Sequence, residues 1–270
     1  MSGCARQEGE KAMPSLFVAH GSPMVAIEDS AYGRFLDGLA QTMARPRALV
    51  IFSAHFEADT EHVHRTALYE TMYDFGGFPD ALYQIRYEPP GDPDLADNIL
   101  ERLASAGIAA RPEESRGLDH GAWTILHRLY PEADIPVVEM SVNKRLSARD
   151  QFHVGRVLAP LSGEVLFVGS GVTVHNFTML RHARDEGEPA PFAVGFETWL
   201  EAVLGEGRLE DLFLYQTRAP YREEAVPQAA SEHFAPLLYV AGTGDGSGRA
   251  RLLYRDYLWG VMSNSVYRFQ

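Results

Sequence analysis

Short apolar runs alternate with amphipathic segments through residues 15–172 of this 270-residue chain. The apolar runs have the length and composition of buried strands, and the segments between them show the residue spacing of helices. Strands that follow one another in parallel need a crossover, usually a helix, and such helices cover both faces of the sheet. The alternation therefore predicts an α/β fold, a single domain with a central, mainly parallel, mixed sheet flanked by helices. The predicted strands are 16–19, 48–53, 135–142 and 164–172.

Helix termini are marked most clearly at 92–107. Asp92 can cap this helix, Pro93 suits its first turn and Gly107 suits its end. The aromatic C-terminal residues, 252–269, predict hairpin strands at a sheet edge. Further helices are predicted over 28–44, 118–131, 147–161, 190–214 and 231–244, and a long ordered loop with one short helical turn is predicted over 69–91.

Charge and cysteine content exclude several classes of protein. The net charge of −13 argues against nucleic-acid and anionic-membrane partners, because phosphates need a positive surface. The single cysteine, Cys4, can form no internal disulfide and excludes cysteine-rich zinc modules. The polar residues 1–13 predict a disordered N-terminal tail without a signal-peptide pattern, ahead of one domain over 14–270. No apolar run approaches the ~20 residues of a membrane span, so a cytoplasmic protein is expected.

Five of the ten histidines stand beside predicted strand ends or at helix starts. A single histidine in such a place is more often a hydrogen-bonded structural residue than a metal ligand. Several strand ends of one parallel sheet, however, point into one crevice, so their histidines would converge. Convergent neutral imidazoles bind divalent first-row metals. The five are His20, His55, His120, His175 and His233.

Two carboxylates stand close to these histidines in the sequence. Glu57 or Glu232 could complete a site of two histidines and one carboxylate, the arrangement typical of Fe(II) oxygenases. Glu57 is expected to be solvated beyond its strand. Glu232 is adjacent to His233 and about 100° away on a helix, so the two are not expected to face one metal. The chain contains no HExxH, GxGxxG, P-loop or GxSxG motif, and nothing marks Ser170 as a nucleophile.

Seven segments of the chain together resemble a known enzyme family. Each is weakly informative alone, but all seven occur in the order found in the DOPA-dioxygenase-like branch of the class III extradiol ring-cleaving dioxygenases. The resemblance covers residues 14–269 and is more specific for the family than for a substrate. The segments are LFVAHGSP, FSAHFE, YDFGGFPDALYQIRYEPPGDPDLA, RGLDHGAWTIL, IPVVEMSVN, LFVGSGVTVHN and SEHFAPLLYVAGT.

The resemblance implies one divalent metal, bound by His20, His55 and His233. His175 matches the family's second-sphere histidine, which joins the metal in some forms as a fourth ligand. His120 matches the acid–base catalyst of the family. Better-known members of the class use a glutamate as the third ligand, whereas this branch offers a histidine. Three neutral ligands leave the metal more positive, so Fe(II) for activity and Zn(II) as the bound ion are both expected candidates.

The reaction implied by the resemblance inserts both atoms of O2 into a DOPA-like catechol and opens the ring. The partners are then the small-molecule catechol and O2, and the enzyme could be a homo-oligomer. Asp119 is a candidate to orient His120, or else a helix cap only. Two alternative functions stay open: a zinc-binding protein of the same fold without turnover, and a metal-dependent hydrolase.

Substrate contacts are left open by the sequence. The aromatic residues of the 69–91 loop are expected to wall the substrate, with at least half of them in ordinary core instead. These residues are Tyr69, Tyr73, Phe75, Phe78 and Tyr83. Three arginines are candidates to bind a substrate carboxylate, and no feature ranks Arg86, Arg116 and Arg222 among themselves.

Overall fold

The computed structural model describes residues 13–182 and 188–270, apart from the side chains at 181, 182, 229 and 230. The tail predicted over 1–13 lies outside the described residues except for Met13, whose backbone N–H donates to the Ser162 carbonyl at 2.7 Å. Eight strands form one sheet: β1 (Ser15–Ala19), β2 (Ala48–Glu57), β3 (Glu61–His64), β4 (Ala110–Glu113), β5 (Val137–Val142), β6 (Val165–Gly171), β7 (Ala250–Leu258) and β8 (Met262–Phe269).

Across the sheet the strands lie in the order β4-β3-β5-β2-β6-β1-β8-β7. The four central strands, β5, β2, β6 and β1, run parallel, so their carboxyl ends meet at one end of the sheet. Strand β8 runs antiparallel to β1, and β7 runs antiparallel to β8, as the predicted C-terminal hairpin requires. The predicted α/β fold with a mixed sheet is therefore confirmed.

The sequence pattern does not predict strands β3 and β4. Strand β3 pairs antiparallel with β5 through Val63 and Met140, and parallel with β4 at the edge of the sheet. Their sequences, EHVH and ARPE, contain no apolar run. Pro112 of β4 lacks a backbone donor, which an edge strand tolerates.

Helices begin where the capping residues indicate. The side chain of Asp92 accepts the Leu95 N–H, and that of Asp119 accepts the Ala122 N–H. The predicted helical segment 190–214 is interrupted at Gly207, which adopts a φ of 70°. The α-helices of the described chain are α1 (Ala31–Leu39), α2 (Pro93–Ser105), α3 (His120–Leu129), α4 (Ala148–Leu158), α5 (Pro191–Glu206), α6 (Leu209–Phe213), α7 (Tyr215–Arg218), α8 (Arg222–Ala225) and α9 (Ala235–Thr243).

The sheet separates two hydrophobic cores. Along β2, Leu49 and Ile51 belong to the core that contains α1 and α3, whereas Val50 and Phe52 belong to the core under α2, α4, α5 and α9. This division follows from the two-residue period of a strand. Because helices cover both faces, the carboxyl ends of the central strands are the part of the sheet that a ligand can approach.

Helices α4 and α9 approach each other closely on one side of the sheet. A Cβ atom at Gly155 would lie 2.0 Å from the Tyr239 carbonyl oxygen, and one at Gly242 would lie 2.1 Å from the Phe152 carbonyl oxygen. Both glycines are therefore required by the contact between the helices. Helix α9 begins just after His233, so this crossing also fixes an element that borders the histidines.

We expect Gly155→Ala to lower the free energy of unfolding by ~1–3 kcal/mol or more, because the added methyl group forces two packed helices apart. Urea denaturation measures this change. Gly38→Ala is the matched control, since it also lies in a helix but its added Cβ would meet no described atom within 4 Å beyond its chain neighbours and its own helix backbone. The control is expected to gain ~0.5–1 kcal/mol. Unchanged stability of Gly155→Ala would contradict the role given to the crossing.

Glu61 of β3 is a carboxyl group buried in the protein interior. Its Oε1 accepts a hydrogen bond from the Tyr239 hydroxyl at 2.9 Å, and its Oε2 has no hydrogen-bond partner among the described residues. Burial raises the pKa of Glu61 from 4.5 to about 7. The folded protein therefore binds more protons than the unfolded chain between these two pH values.

The contribution of Glu61 to the free energy of unfolding is expected to fall by up to ~3 kcal/mol as the pH rises from ~4.5 to ~7, and to change little above that range. Glu61→Gln keeps the acceptor for Tyr239 and removes the charge, so it should be more stable than the wild type at pH 8. Urea denaturation at pH 5 and pH 8 measures the difference. Glu101→Gln, an exposed position on α2, is the control. Equal effects of the two substitutions at pH 8 would refute this prediction.

Candidate metal centre and active site

Five histidine side chains converge at the carboxyl ends of the central strands. They line one cavity of roughly 220 Å³. His20 directly follows β1 and His175 comes shortly after β6, while His120 is the first residue of α3. His233 ends a 3-10 helix, Gln228–His233, that precedes α9. The predicted convergence of these histidines is therefore observed.

His55 reaches the cavity from within a strand. Strand β2 continues beyond the predicted end at residue 53 as far as Glu57, and its pairing with β5 is irregular between Phe52 and Glu57. His55 lies in this irregular part rather than past the strand. Such irregularities re-aim side chains, and they are common next to active sites.

Three of the imidazoles lie close enough to share one metal ion. Ring nitrogens of His20, His55 and His233 all lie within 4.8 Å of one another. The Nε2 atoms of His20 and His55 are 3.2 Å apart. Two ligands of a tetrahedral site with metal–nitrogen bonds of ~2.0–2.1 Å would lie about 3.3 Å apart, so this donor set fits a divalent metal.

His175 lies directly beside this group of three. Its ring stacks on that of His233, with centroids 3.7 Å apart and planes at 9°. The Nδ1 atom of His175 is buried and has no hydrogen-bond partner in the described part of the chain. An unpaired buried donor or acceptor is costly, so a ligand or metal at this place would satisfy it.

Burial keeps the imidazoles in the form that binds metals. It lowers the pKa of His20 and of His233 well below the ordinary value, and the neighbouring His55 lowers both further. Burial and then His120 lower the pKa of His55, and burial with His233 lowers that of His175 to about 3. These four rings are therefore neutral near pH 7 and keep the lone pairs that coordination requires.

Ser170, at the end of β6, determines which nitrogen of His20 carries a proton. Its hydroxyl donates to the carbonyl of Gly121 and lies 3.0 Å from His20 Nδ1. A hydroxyl has one proton to donate, so Ser170 Oγ accepts the Nδ1–H of His20. His20 Nε2 is left unprotonated, and this is the nitrogen that lies near His55. Contacts of this kind orient metal-binding histidines.

The two carboxylates considered from the sequence lie around the group and not within it. Glu57 forms an ion pair with Lys144 at 2.9 Å. Glu232 Oε1 lies 3.0 Å from His233 Nδ1. Of the three closely spaced histidines it therefore contacts the ring of His233. Asp119, a candidate to orient His120, instead accepts hydrogen bonds from Ser53, from the Ala122 N–H and from Arg116.

The described chain contains a carboxylate beside His120 that sequence reasoning did not find. Asp74 Oδ1 lies 2.9 Å from His120 Nδ1 and also accepts the backbone N–H of His120. Asp74 belongs to the segment YDFGGFP within the 69–91 loop. This segment has no strand or helix periodicity, so its contacts could not be read from the sequence.

The sequence profile of the family described as "Catalytic LigB subunit of aromatic ring-opening dioxygenase" matches residues 14–269. The chain belongs to this family. It is 39% identical to a 4,5-DOPA dioxygenase extradiol of Beta vulgaris over 94% of this chain and 96% of the relative. A protein of the same name from Escherichia coli K12 is 39% identical over 87% of this chain and 86% of its own length.

A solved structure agrees with this assignment. An uncharacterized protein from Escherichia coli K12 matches 96% of this chain with a TM-score of 0.77 and 33% sequence identity, and all of that protein is covered. The chain is thus an extradiol dioxygenase of the LigB family, as the seven segments predict. Enzymes of this family depend on a metal and act on a small aromatic substrate and O2, and the histidine-rich cluster is consistent with the metal site.

The cavity of this LigB-family enzyme has a largely aromatic wall. Phe75 and Phe78 line the cavity, whereas Tyr69, Tyr73 and Tyr83 do not, as expected for at least half of the loop aromatics. Apolar residues from other parts of the chain also line it, among them Phe177, Trp259 and Met262. Phe177 begins a 3-10 helix, Trp259 lies in the β7–β8 turn and Met262 is the first residue of β8, and no sequence pattern marked these positions as part of a site.

None of the three candidate arginines lies among the described residues that line the cavity. Arg86 pairs with Glu88 and Arg222 pairs with Glu223. Arg116 is closer to the histidines, because it donates to the His55 carbonyl as well as to Asp119.

Over 13–182 and 188–270, no helix has both the length and the apolarity required to cross a membrane.

Proposed function

We propose that this enzyme opens the ring of a DOPA-like catechol in an extradiol position and inserts both atoms of O2. His20, His55 and His233 would hold the metal, and His120 and His175 would handle protons. The observation that carries the proposal is the single cavity on which three mutually close imidazoles and two further histidines meet. The relatives named 4,5-DOPA dioxygenase extradiol support a catechol of this class.

The metal in this proposal is a divalent ion, Fe(II) for turnover, with Zn(II) able to occupy the same neutral donors. A bound divalent metal supplies Lewis-acid activation of the catechol hydroxyls, and Fe(II) also supplies the redox chemistry that O2 requires. His175 is the possible fourth ligand of this site, because it lies against His233 with an unpaired buried Nδ1.

The chain's own residues bind the ring and move protons. Phe75 and Phe78 from the loop, with Trp259 from the β7–β8 turn, form apolar walls that suit a planar aromatic ring and exclude water. His175 is neutral in the cavity and would accept a proton or a hydrogen bond from a catechol hydroxyl, since a nearby negative charge favours the protonated imidazole. His120 would take up the proton of the other hydroxyl at its free ring nitrogen and donate it as the O–O bond breaks, so that both oxygen atoms stay in the product.

The proposal extends to the protein as a whole. One catalytic domain would span 14–270, and the enzyme would act in the cytoplasm. With a single cysteine it can form no internal disulfide, which is compatible with a reducing compartment. A homo-oligomer is part of the proposal, and light scattering coupled to size-exclusion chromatography tests it.

Anaerobic purification, Fe(II) loading and addition of DOPA or another catechol test the activity. We expect O2 uptake in equal amounts with substrate loss, and a yellow ring-opened semialdehyde. Absence of uptake with every catechol at full Fe(II) occupancy would refute the proposal. Zn(II)-loaded protein is the control: stable zinc with no turnover of either form would favour the zinc-binding protein, and ester hydrolysis without O2 uptake would favour the hydrolase.

A further inference from the structure

The carboxylate of Asp74 lies against the ring edge of His120. Its Oδ1 is 2.9 Å from His120 Nδ1, and the same oxygen accepts the backbone N–H of His120 at 2.9 Å. The side chain of His120 is 8% exposed and that of Asp74 is 22% exposed, so solvent screens this contact only partly. His120 Nδ1 has no hydrogen-bond partner of good geometry in the described chain, so its contact with the carboxylate is a close polar contact.

The charge on Asp74 favours one tautomer of His120. An aspartate is ordinarily ionised near pH 7, and Oδ1 of Asp74 already accepts the backbone N–H of His120. An ionised carboxylate is only an acceptor. A proton on Nδ1 meets it favourably, whereas an Nδ1 lone pair would meet it with repulsion.

Asp119 cannot do this for His120, although it is adjacent in the sequence. Its Oδ1 accepts from the Ser53 hydroxyl and from the Ala122 N–H, and its Oδ2 accepts from Arg116. These contacts cap α3 and fix the carboxylate away from the imidazole. Asp74 is thus the carboxylate that contacts the ring of His120 within the described chain.

We propose that Asp74 is the positioning residue that holds His120 as the Nδ1–H tautomer, with Nε2 unprotonated and free to exchange a proton with substrate. The inference rests on the proposed function for the role of His120. It extends that function by assigning the supporting carboxylate to the 69–91 loop rather than to the residue before His120.

The position of Asp74 couples the cavity wall to His120. The next residue, Phe75, packs edge-on against the His120 ring at 5.5 Å and lines the cavity. The same short stretch of loop therefore contacts the substrate space with Phe75 and the proton-transfer histidine with Asp74. A substrate that presses on Phe75 would also act on the contact that orients His120.

A different role for Asp74 would be metal binding. Ligand atoms of His55, Asp74 and His120 also lie within 4.8 Å of one another, and Asp74 Oδ2 is 3.8 Å from His55 Nδ1. Removal of a metal ligand lowers the metal content, whereas removal of a positioning residue leaves it unchanged. The experiment therefore measures the metal as well as the tautomer.

The test compares wild type, Asp74→Asn and Asp74→Ala, with Asp80→Asn as the matched control on an exposed position of the same loop. Long-range ¹H–¹⁵N spectra of the Zn(II)-loaded protein report the tautomer of each histidine, and the His120 signals are assigned by their loss in His120→Gln. Metal content is measured on the same samples. Steady-state ring cleavage by the Fe(II)-loaded enzymes gives kcat and KM separately.

We expect the Nδ1–H tautomer for His120 in the wild type and in Asp80→Asn, and loss of that preference in both Asp74 variants. With metal content unchanged, kcat should fall about 10- to 100-fold while KM changes little. An Nε2–H tautomer in the wild type, or an unchanged tautomer in both Asp74 variants, would overturn the proposal, and so would loss of metal. The tautomer and the metal content are measured without turnover. An inactive wild type would therefore refute the proposed function, while the tautomer of His120 would still support or overturn the role of Asp74.

Discussion

A His20→Ala variant is expected to lose its divalent metal and, with it, ring cleavage. His20 is almost fully buried, and its Nε2 faces that of His55 at 3.2 Å because Ser170 holds the other ring nitrogen. Protein zinc sites bind with ~10–16 kcal/mol, so loss of one of three ligands is expected to cost several kcal/mol. That corresponds to roughly a thousandfold or more in affinity. Metal analysis after dialysis and O2 uptake measure the two losses.

His153→Ala is the control for this experiment. His153 is exposed on α4, away from the cavity, so both metal content and activity should match the wild type. Because His20 is buried, the circular dichroism and thermal midpoint of the variant are compared with those of metal-free wild type. A folded His20→Ala protein that retains one tightly held metal would show that the ligand assignment is wrong.

The arrangement of the histidines could be foreseen because it depends on strand direction. Parallel strands place their carboxyl ends together, so histidines that follow β1 and β6 must meet even though 155 residues separate His20 from His175. Local signals also sufficed for the helix caps, since Asp92 and Asp119 act on backbone groups only three residues away.

Other parts of the site depend on contacts that leave no local pattern. Asp74 and Trp259 lie in connecting segments and Phe177 begins a short 3-10 helix, so neither a two-residue nor a 3.6-residue period constrains these side chains. The orientation of His20 by Ser170 is likewise a contact across 150 residues. Strands β3 and β4 were not predicted either. They are strands because of the strands they pair with, and their own composition does not indicate it.

His120→Gln is expected to separate metal binding from turnover. His120 contacts Asp74 and lines the cavity, but it is not one of the three closely spaced nitrogens assigned to the metal. Glutamine keeps a polar side chain of similar reach and cannot exchange a proton near pH 7. Loss of general acid–base assistance typically costs 10²–10⁴-fold, so kcat should fall by about that factor. Metal content and anaerobic binding of 4-nitrocatechol should stay as in the wild type.

His127→Gln, on the same helix α3 but outside the cavity, is the matched control and should keep full activity. The rings of His120 and His55 have centroids 3.9 Å apart, so a purely packing role for His120 would loosen His55 and lower metal content along with kcat. A parallel loss of metal and activity would therefore assign His120 to the support of the metal site. A loss of kcat alone, at full metal occupancy and with the catechol still bound, requires that His120 act on the bound substrate itself.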